Sequence, residues 1–391
     1  MLESWRWFGP EDPVSLADMR QAGARGVVTA LHSHYTGEVW PETAIAARRR
    51  EIEAAGLDWA VVESIPVPDA IKRGDDGAEA ATRAFCETMR RVAAAGVRVI
   101  CYNFMPVVDW TRTHLAHPMP SGGLALRFEK RAFIAYDVFV LKRPGAAGDY
   151  PDQAVTEAEE WLAGQDGAAL AALEHAIIAG LPGAEGSHDR AGLRAEITRF
   201  AGLGPDGLRA NLTAFHKRIV PLARELGLRL AIHPDDPPFP LFGLARVVST
   251  PGDLTALFGA VPEVENGLTF CAGSFGARAD NDLPAMLAEH AGRVHFAHLR
   301  NVAVEADGSF SEAEHLGGDA DMVGLVRQLL AEEARRRAEG RTDADIPFRP
   351  DHGHLLLDDQ KKTTQPGYSA IGRLKGLAEL RGVIAALARA A

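Results

Sequence analysis

The chain has 391 residues, a formal net charge of -11, and 47% hydrophobic against 24% charged residues. That make-up belongs to a soluble globular protein able to bury a large core without staples, and its acidity argues against nucleic acid, which needs a basic face. The three cysteines, Cys86, Cys101 and Cys271, are too few and too odd in number for a disulfide framework, so a reducing compartment is expected.

The N-terminus, MLESWRWFGPEDPVS, has neither a basic n-region nor an apolar h-region. No apolar run approaches the roughly 20 residues that span a bilayer. The expectation is a cytoplasmic protein without a membrane segment.

Short apolar runs recur along the chain. The first four are SWRWFG (4–9), RGVVTAL (25–31), LDWAVVES (57–64) and VRVICYNF (97–104). After a long gap come LRLAIHP (228–234), LTFCAGS (268–274), RVHFAHLRN (293–301) and IPFRPDHG (346–353). Each is rich in β-branched or aromatic residues and has the length of a buried strand. Helical patterns lie between them, over 41–56, 78–96, 205–227 and 320–340. The first three end at Gly56, Gly96 and Gly227, as helices often do. Pro221 falls inside the third and predicts a kink or a boundary there.

Strands alternating with helices of this length mean βαβ units and a parallel sheet. Eight such strands predict an α/β fold of the closed (β/α)8 TIM-barrel type, one domain over 1–391. No GxGxxG follows the first strand, which lowers the dinucleotide-binding alternative. The stretch 110–204 reads as a helical insertion after the fourth strand, of the kind that covers a site or builds a subunit contact.

Barrel enzymes carry their chemistry at the C-terminal ends of the strands. The fifth strand ends in His233, the sixth in Cys271, the seventh in His298 and the eighth in Asp351. Two imidazoles, a thiol and a carboxylate on consecutive strands converge in a closed barrel and could surround one ion. Strand alternation puts His298, Phe296 and Val294 inside the barrel and His295 toward the helices. It also gives Arg349 and Asp351 one face, with His352 opposite unless the chain turns near Gly353. A lone buried histidine or cysteine is usually a packed core group. Four at successive strand ends point to a divalent metal site, and the mixed donor set suits Mn2+, Fe2+, Co2+ or Zn2+ better than Mg2+ or Ca2+. In this reading Asp351 closes the metal shell and His352 stands beside the ion as a proton-transfer group. His354 is divided between a supporting role and a surface turn.

Nine segments together resemble the mannonate dehydratase family. They are RWFGPEDPVSL (6–16), GVVTALH (26–32), GEVW (37–40), VVESIPV (61–67), YNFMPVVDWTRT (102–113), AIHPDDPP (231–238), HLRN (298–301), RPDHGH (349–354) and PGYSAIGRLKGL (366–377). The resemblance runs from the first strand to the last. It implies a metal-dependent lyase on a xylose-isomerase-like barrel, which removes water from D-mannonate to give 2-dehydro-3-deoxy-D-gluconate in hexuronate (glucuronate) catabolism. It places the metal shell on His233, Cys271, His298 and Asp351, and the proton-transfer pair on His352 and Tyr368. It also implies Mn2+ or Fe2+ as the ion and a homodimer built through the insertion. Two stretches depart from the family pattern. Ser33, His34 and Tyr35 stand where Asp-Ile-Pro is usual, and Gly317, Asp319 and Ala320 where Ser, Ser and Leu are usual.

For such a reaction Arg300 is a candidate clamp for the substrate carboxylate. Asn103 and His315 are candidates for the sugar hydroxyls, and Glu63 for orienting a metal ligand. Asp235 and Asp236 read as turn-forming residues after His233. A sugar isomerase or epimerase on the same barrel is the main alternative, although a carboxylate-rich site with a lysine would suit it better. A non-catalytic sugar-acid sensor would not need the His352 and Tyr368 pair, and a scaffold would leave the aligned ligands unexplained.

Overall fold

The structure is a computed structural model and describes residues 1–178 and 189–390. In chain order, β1 (Leu2–Arg6), α1 (Leu16–Gln21), β2 (Gly26–Thr29), α2 (Glu42–Ala54), β3 (Asp58–Glu63), α3 (Asp69–Arg73), α4 (Ala78–Ala94) and β4 (Val99–Tyr102) come first. The insertion follows with β5 (His114–Pro118), β6 (Leu124–Phe128), α5 (Lys130–Ala135), α6 (Asp152–Ala163), α7 (Gly167–Ile178) and α8 (Arg190–Arg199). Then come α9 (Pro205–Leu226), β7 (Arg229–Ile232), α10 (Pro251–Ala260), β8 (Asn266–Cys271), α11 (Ala272–Gly276) and α12 (Leu283–His290). The chain closes with β9 (Val294–His298), β10 (Asn301–Val304), β11 (Phe310–Ala313), α13 (Met322–Ala338), β12 (Pro347–Arg349) and α14 (Ala370–Ala390).

Among the described residues, eight parallel strands close a barrel in the order β1-β12-β9-β8-β7-β4-β3-β2. All eight fall within or across the apolar runs read from the sequence. Gly56, Gly96 and Gly227 are left-handed, as helix-ending glycines are. The helix α9 runs through Pro221 without a boundary.

The barrel interior is a small plug of Val28, Val61, Val99, Cys101, Ala231 and Phe296. The far larger core lies between barrel and helices, where the alternate side chains Val27, Val62, Ile100, Ile232, Phe270 and Phe348 pack against α2, α4, α9 and α13. Val294 belongs to that outer layer, not to the interior as strict alternation predicted. The cause is an extra residue in β9: Leu268 pairs with Val294 but Thr269 pairs with Phe296, so the pleat resets at His295. His295 does face away from the interior, with Nε2 bonded to Val264 O at 2.7 Å.

The insertion carries its expected helices and, ahead of them, a β-hairpin that the helical reading did not include. That hairpin joins a second one, β10–β11, in an antiparallel sheet of order β10-β11-β6-β5. Phe310 pairs with Phe128 across β11 and β6, and their rings stack at 5.6 Å. Phe133, Tyr136, Leu193 and Phe242 complete a separate core under this sheet. The accessory sheet is thereby fixed beside the C-terminal end of the barrel, and it brings Glu312 on β11 to that end.

Candidate metal centre and active site

The lateral register of the barrel sets the centre. Cys271 pairs with His298, and His298 pairs with Arg349, so three strand ends lie side by side. His233 follows β7 directly, its N–H bonded to Tyr102 O at 2.7 Å. One ligand atom each from His233, Cys271 and His298 lies within 4.8 Å of the others.

The His233 imidazole is arranged to present a nitrogen lone pair. A carbonyl only accepts, so the 2.6 Å contact of His233 Nδ1 with Pro234 O makes that nitrogen the donor. Its Nε2 is then bare and sits 3.1 Å from His298 Nδ1. Burial pushes the His233 pKa down, which keeps the ring neutral and able to ligate. Two imidazole nitrogens and a sulfur at this spacing fit a borderline divalent ion.

Asp351 supplies a nearby oxygen. Its Oδ2 lies 3.7 Å from His298 Nδ1 and 3.9 Å from Cys271 Sγ. Burial alone would raise its carboxyl, but Arg349, His352, His298 and Arg300 together hold it well below the usual carboxylate range. Arg300 Nε donates to Asp351 Oδ2 at 2.8 Å, and Arg349 pairs with the other oxygen.

The loop after β12 does what strand alternation alone would forbid. Asp351 has φ +67°, in the left-handed region that non-glycine residues enter at a cost of about 1–3 kcal/mol. This turn lets both Asp351 and His352 face the same cavity. Gly353 then passes so close to α14 that a Cβ would stand 2.3 Å from Arg373 N. Gly353 N–H donates to Gly367 O at 2.8 Å, which lays the PGYS segment alongside. Tyr368 is thereby brought edge-on to His352, with ring centroids 5.1 Å apart and planes at 83°. Tyr368 is 2% exposed, and burial pushes its phenol up to about 12, so it carries its proton at neutral pH.

The cavity above the centre is walled by His233, Asp351, His352, Tyr368, Arg6, Arg349, Glu63, Asn103, Asp236 and Trp110, among others. Of the residues expected at the site, Asn103 lies on this wall, where its Nδ2 donates to Asp109 Oδ2 at 3.3 Å. Glu63 is there too, 3.7 Å from His298 Nε2 and bonded to Arg349 at 2.9 Å. Arg300 is not on the wall. It lies beneath it, 1% exposed, with its donors spent on Asp351, Glu312, Asp236 and Ser274, so it is not free to clamp a carboxylate. The guanidiniums that do face the cavity are those of Arg6 and Arg349. His315 is also displaced from the expected place: its Nε2 bonds Pro350 O at 2.8 Å, behind the 350–354 loop. His354 sits on that same side, bonded to Glu312 O at 3.0 Å, and is buried rather than part of a surface turn.

Other site residues escaped the sequence reading. Asp235 fixes the turn as expected, accepting from Val248 N–H and the Ser249 hydroxyl, both at 2.7 Å. Asp236 does more: it lines the cavity and pairs with Arg112 and Arg300. Arg6 was legible as a charge at the end of the first strand. Glu312 and Arg112 had no local signal, because the accessory sheet brings them in. Of the stretches that depart from the family pattern, Tyr35 reaches the cavity, bonded to the Ser64 hydroxyl.

Comparison with known proteins agrees with this geometry. The family model for D-mannonate dehydratase (UxuA) matches residues 1–391. The chain is 55% identical over 389 residues to mannonate dehydratase 2 of Agrobacterium fabrum, covering 100% of this chain and 98% of that one. It is 53% identical over 388 residues to the mannonate dehydratase of Chromohalobacter salexigens, covering 99% of each. Among solved structures, the mannonate dehydratase of Streptococcus suis serotype 2 superposes with a TM-score of 0.78 at 33% identity, over 100% of this chain and 94% of that one. The chain belongs to the D-mannonate dehydratase family.

Proposed function

We propose that this protein is a mannonate dehydratase, a metal-dependent lyase that converts D-mannonate to 2-dehydro-3-deoxy-D-gluconate and water in glucuronate catabolism. We read it as a cytoplasmic enzyme, and among the described residues no helix is long and apolar enough to cross a membrane. The observation that carries the reading is one cavity that has His233 and Asp351 on one part of its wall and His352 beside Tyr368 on another.

His233, Cys271, His298 and Asp351 would hold the ion, with Mn2+ or Fe2+ the best match to the donor set. When bound, a divalent ion supplies electrostatic stabilisation for the negative charge that develops next to the substrate carboxylate. The buried charges around it support an anionic substrate. The guanidiniums of Arg6, Arg112, Arg300 and Arg349 are matched by the carboxylates of Glu63, Asp236, Glu312 and Asp351. A divalent cation added to this balanced set leaves a positive excess at the cavity wall.

The chemistry needs two proton transfers: one from C2 of the aldonate, which is weakly acidic, and one to the departing C3 hydroxyl. His352 and Tyr368 are the two groups placed to share them. Arg6 is the better candidate for the carboxylate-orienting role than Arg300, since it reaches the cavity with Nε unengaged, whereas Arg349, also on the wall, is committed to His298, Glu63 and Asp351. Asn103 stands where a sugar hydroxyl would be met.

The test is turnover. Metal-stripped protein is incubated with D-mannonate with and without Mn2+, and 2-keto-3-deoxy acid is followed, with D-gluconate and D-altronate in parallel. Metal-dependent product from mannonate is the expected result. Tight metal binding with no product from any of the three acids would overturn the assignment and favour the isomerase or sensor readings.

A further inference from the structure

The roles above leave one buried carboxylate unused. Glu312 stands on β11, outside the barrel and 40 residues before His352, yet it reaches the active site. Its Oε1 accepts from His352 Nδ1 at 2.9 Å, from Arg112 Nη2 at 3.0 Å and from Arg300 Nη1 at 3.0 Å. The two arginines do not need it for their own sake. Asp236 already answers both, from Arg112 Nη1 at 2.8 Å and from Arg300 Nη2 at 2.7 Å. What Glu312 adds is the contact to the histidine.

That contact engages one ring nitrogen and leaves the other to face away from Glu312. Burial alone would raise the Glu312 carboxyl, but Arg300, His352 and Arg112 outweigh it and keep the group ionised. A carboxylate can only accept, so His352 carries its proton on Nδ1. Nε2 lies on the opposite edge of the ring, 3.8 Å from Asp351 Oδ1, and is the nitrogen not engaged by Glu312. The support is stiff: β11 is paired to β6 through Phe310 and Phe128, two residues from Glu312.

We propose that Glu312 is a positioning residue for His352, holding its ring orientation and its Nδ1–H tautomer so that Nε2 is the atom that exchanges a proton with substrate. The accessory sheet, on this account, is part of the catalytic apparatus and not only a cover. The inference rests on the dehydratase reading of the site.

Two measurements on the metal-loaded full chain test it. The first is a double-mutant cycle with D-mannonate as substrate. Glu312→Gln is expected to lower kcat roughly 10- to 100-fold with KM near the wild-type value, as losing an orienting partner does. In a His352→Ala background the same change is expected to cost nothing further. An equal loss in both backgrounds would mean a general structural role and overturn the proposal. The second is the 15N spectrum of histidine-labelled, zinc-loaded protein, with His352→Ala used for assignment. Wild-type His352 is expected to show a protonated Nδ1 and an unprotonated Nε2, and Glu312→Gln a mixture. Tautomer averaging already in the wild type would overturn the proposal, even if the variants fail to fold. If the wild type leaves mannonate untouched, the dehydratase reading fails, and the spectrum still decides the role of Glu312.

Discussion

Glu63 Oε1 lies 3.7 Å from His298 Nε2, on the side of the ring opposite the Nδ1 that faces His233. Arg349 Nε donates to that Nε2 at 3.0 Å, and the same arginine donates to Glu63 at 2.9 Å. The ring is therefore gripped from behind by an ion pair. Giving Nδ1 to an ion would shift the ring proton to Nε2, where Arg349 would have to yield, and Glu63 is the carboxylate close enough to take up that contact. Burial alone would raise the Glu63 carboxyl, but Arg349, Arg6 and His298 keep it ionised. Glu63→Gln is expected to weaken divalent-metal affinity by roughly tenfold or more with the fold retained. A competition titration against a chelator measures this. Unchanged affinity would remove Glu63 from the support of the metal centre.

Arg300 has the opposite character, since it holds the site together without facing substrate. It answers the carboxylates of Asp351, Asp236 and Glu312 from a position with 1% exposure. Removing it leaves buried anions short of a partner, a loss of about 3–5 kcal/mol. Arg300→Met is expected to lose stability on that scale in urea denaturation. Arg300→Lys is expected to recover little of it, because one ammonium cannot reach acceptors spread around a planar fork. Full recovery by lysine would show that charge alone matters there.

These two arginine-centred clusters mark where sequence reasoning succeeds and where it stops. The barrel was legible because each strand is a short apolar run, and the ends of such runs must converge once the barrel closes. His233, Cys271 and His298 could be picked out for that reason alone. Asp351 and His352 were readable as residues but not as a pair facing one cavity. That depends on the left-handed backbone at Asp351, which strand alternation cannot foresee. Arg300 was misplaced because adjacency to His298 was taken for adjacency to substrate. Val294 was misplaced by the extra residue in β9. Glu312 and Arg112 were invisible because their meeting depends on pairing between hairpins far apart in the chain, a long-range contact with no local pattern.

The hydroxyl of Tyr368 can be removed with little disturbance to packing. The ring meets Phe8 edge-on at 4.8 Å and His352 at 5.1 Å, contacts that phenylalanine keeps. Tyr368→Phe is therefore expected to fold and bind metal normally while kcat falls by roughly 10²–10⁴, the usual share of a general acid or base. Steady-state kinetics beside a metal assay would show it. A variant with near-normal kcat would place the second proton transfer elsewhere.

Stability should fall in mild acid for a reason unrelated to catalysis. His216 and His295 are sealed from water and His32 is half-buried, and burial is the main cause that pushes each pKa down to about 3. In the unfolded chain these rings titrate near 6.5. Between those values the unfolded state binds more protons, so stability that is present above about pH 6.5 is lost as pH falls toward the folded pKa. From pH 7 to pH 5 each ring accounts for about 2 kcal/mol of that loss. His216 is the cleanest to isolate: its Nε2 bonds the Tyr102 hydroxyl at 2.7 Å, and burial alone shifts it. His216→Gln lowers stability at every pH by the lost packing, but the drop between pH 7 and pH 5 is expected to shrink by about 2 kcal/mol. Urea unfolding of both proteins at the two pH values gives that difference directly, and carboxylates that titrate in the same range cancel between them. An identical drop in the two proteins would mean that His216 takes up its proton without unfolding.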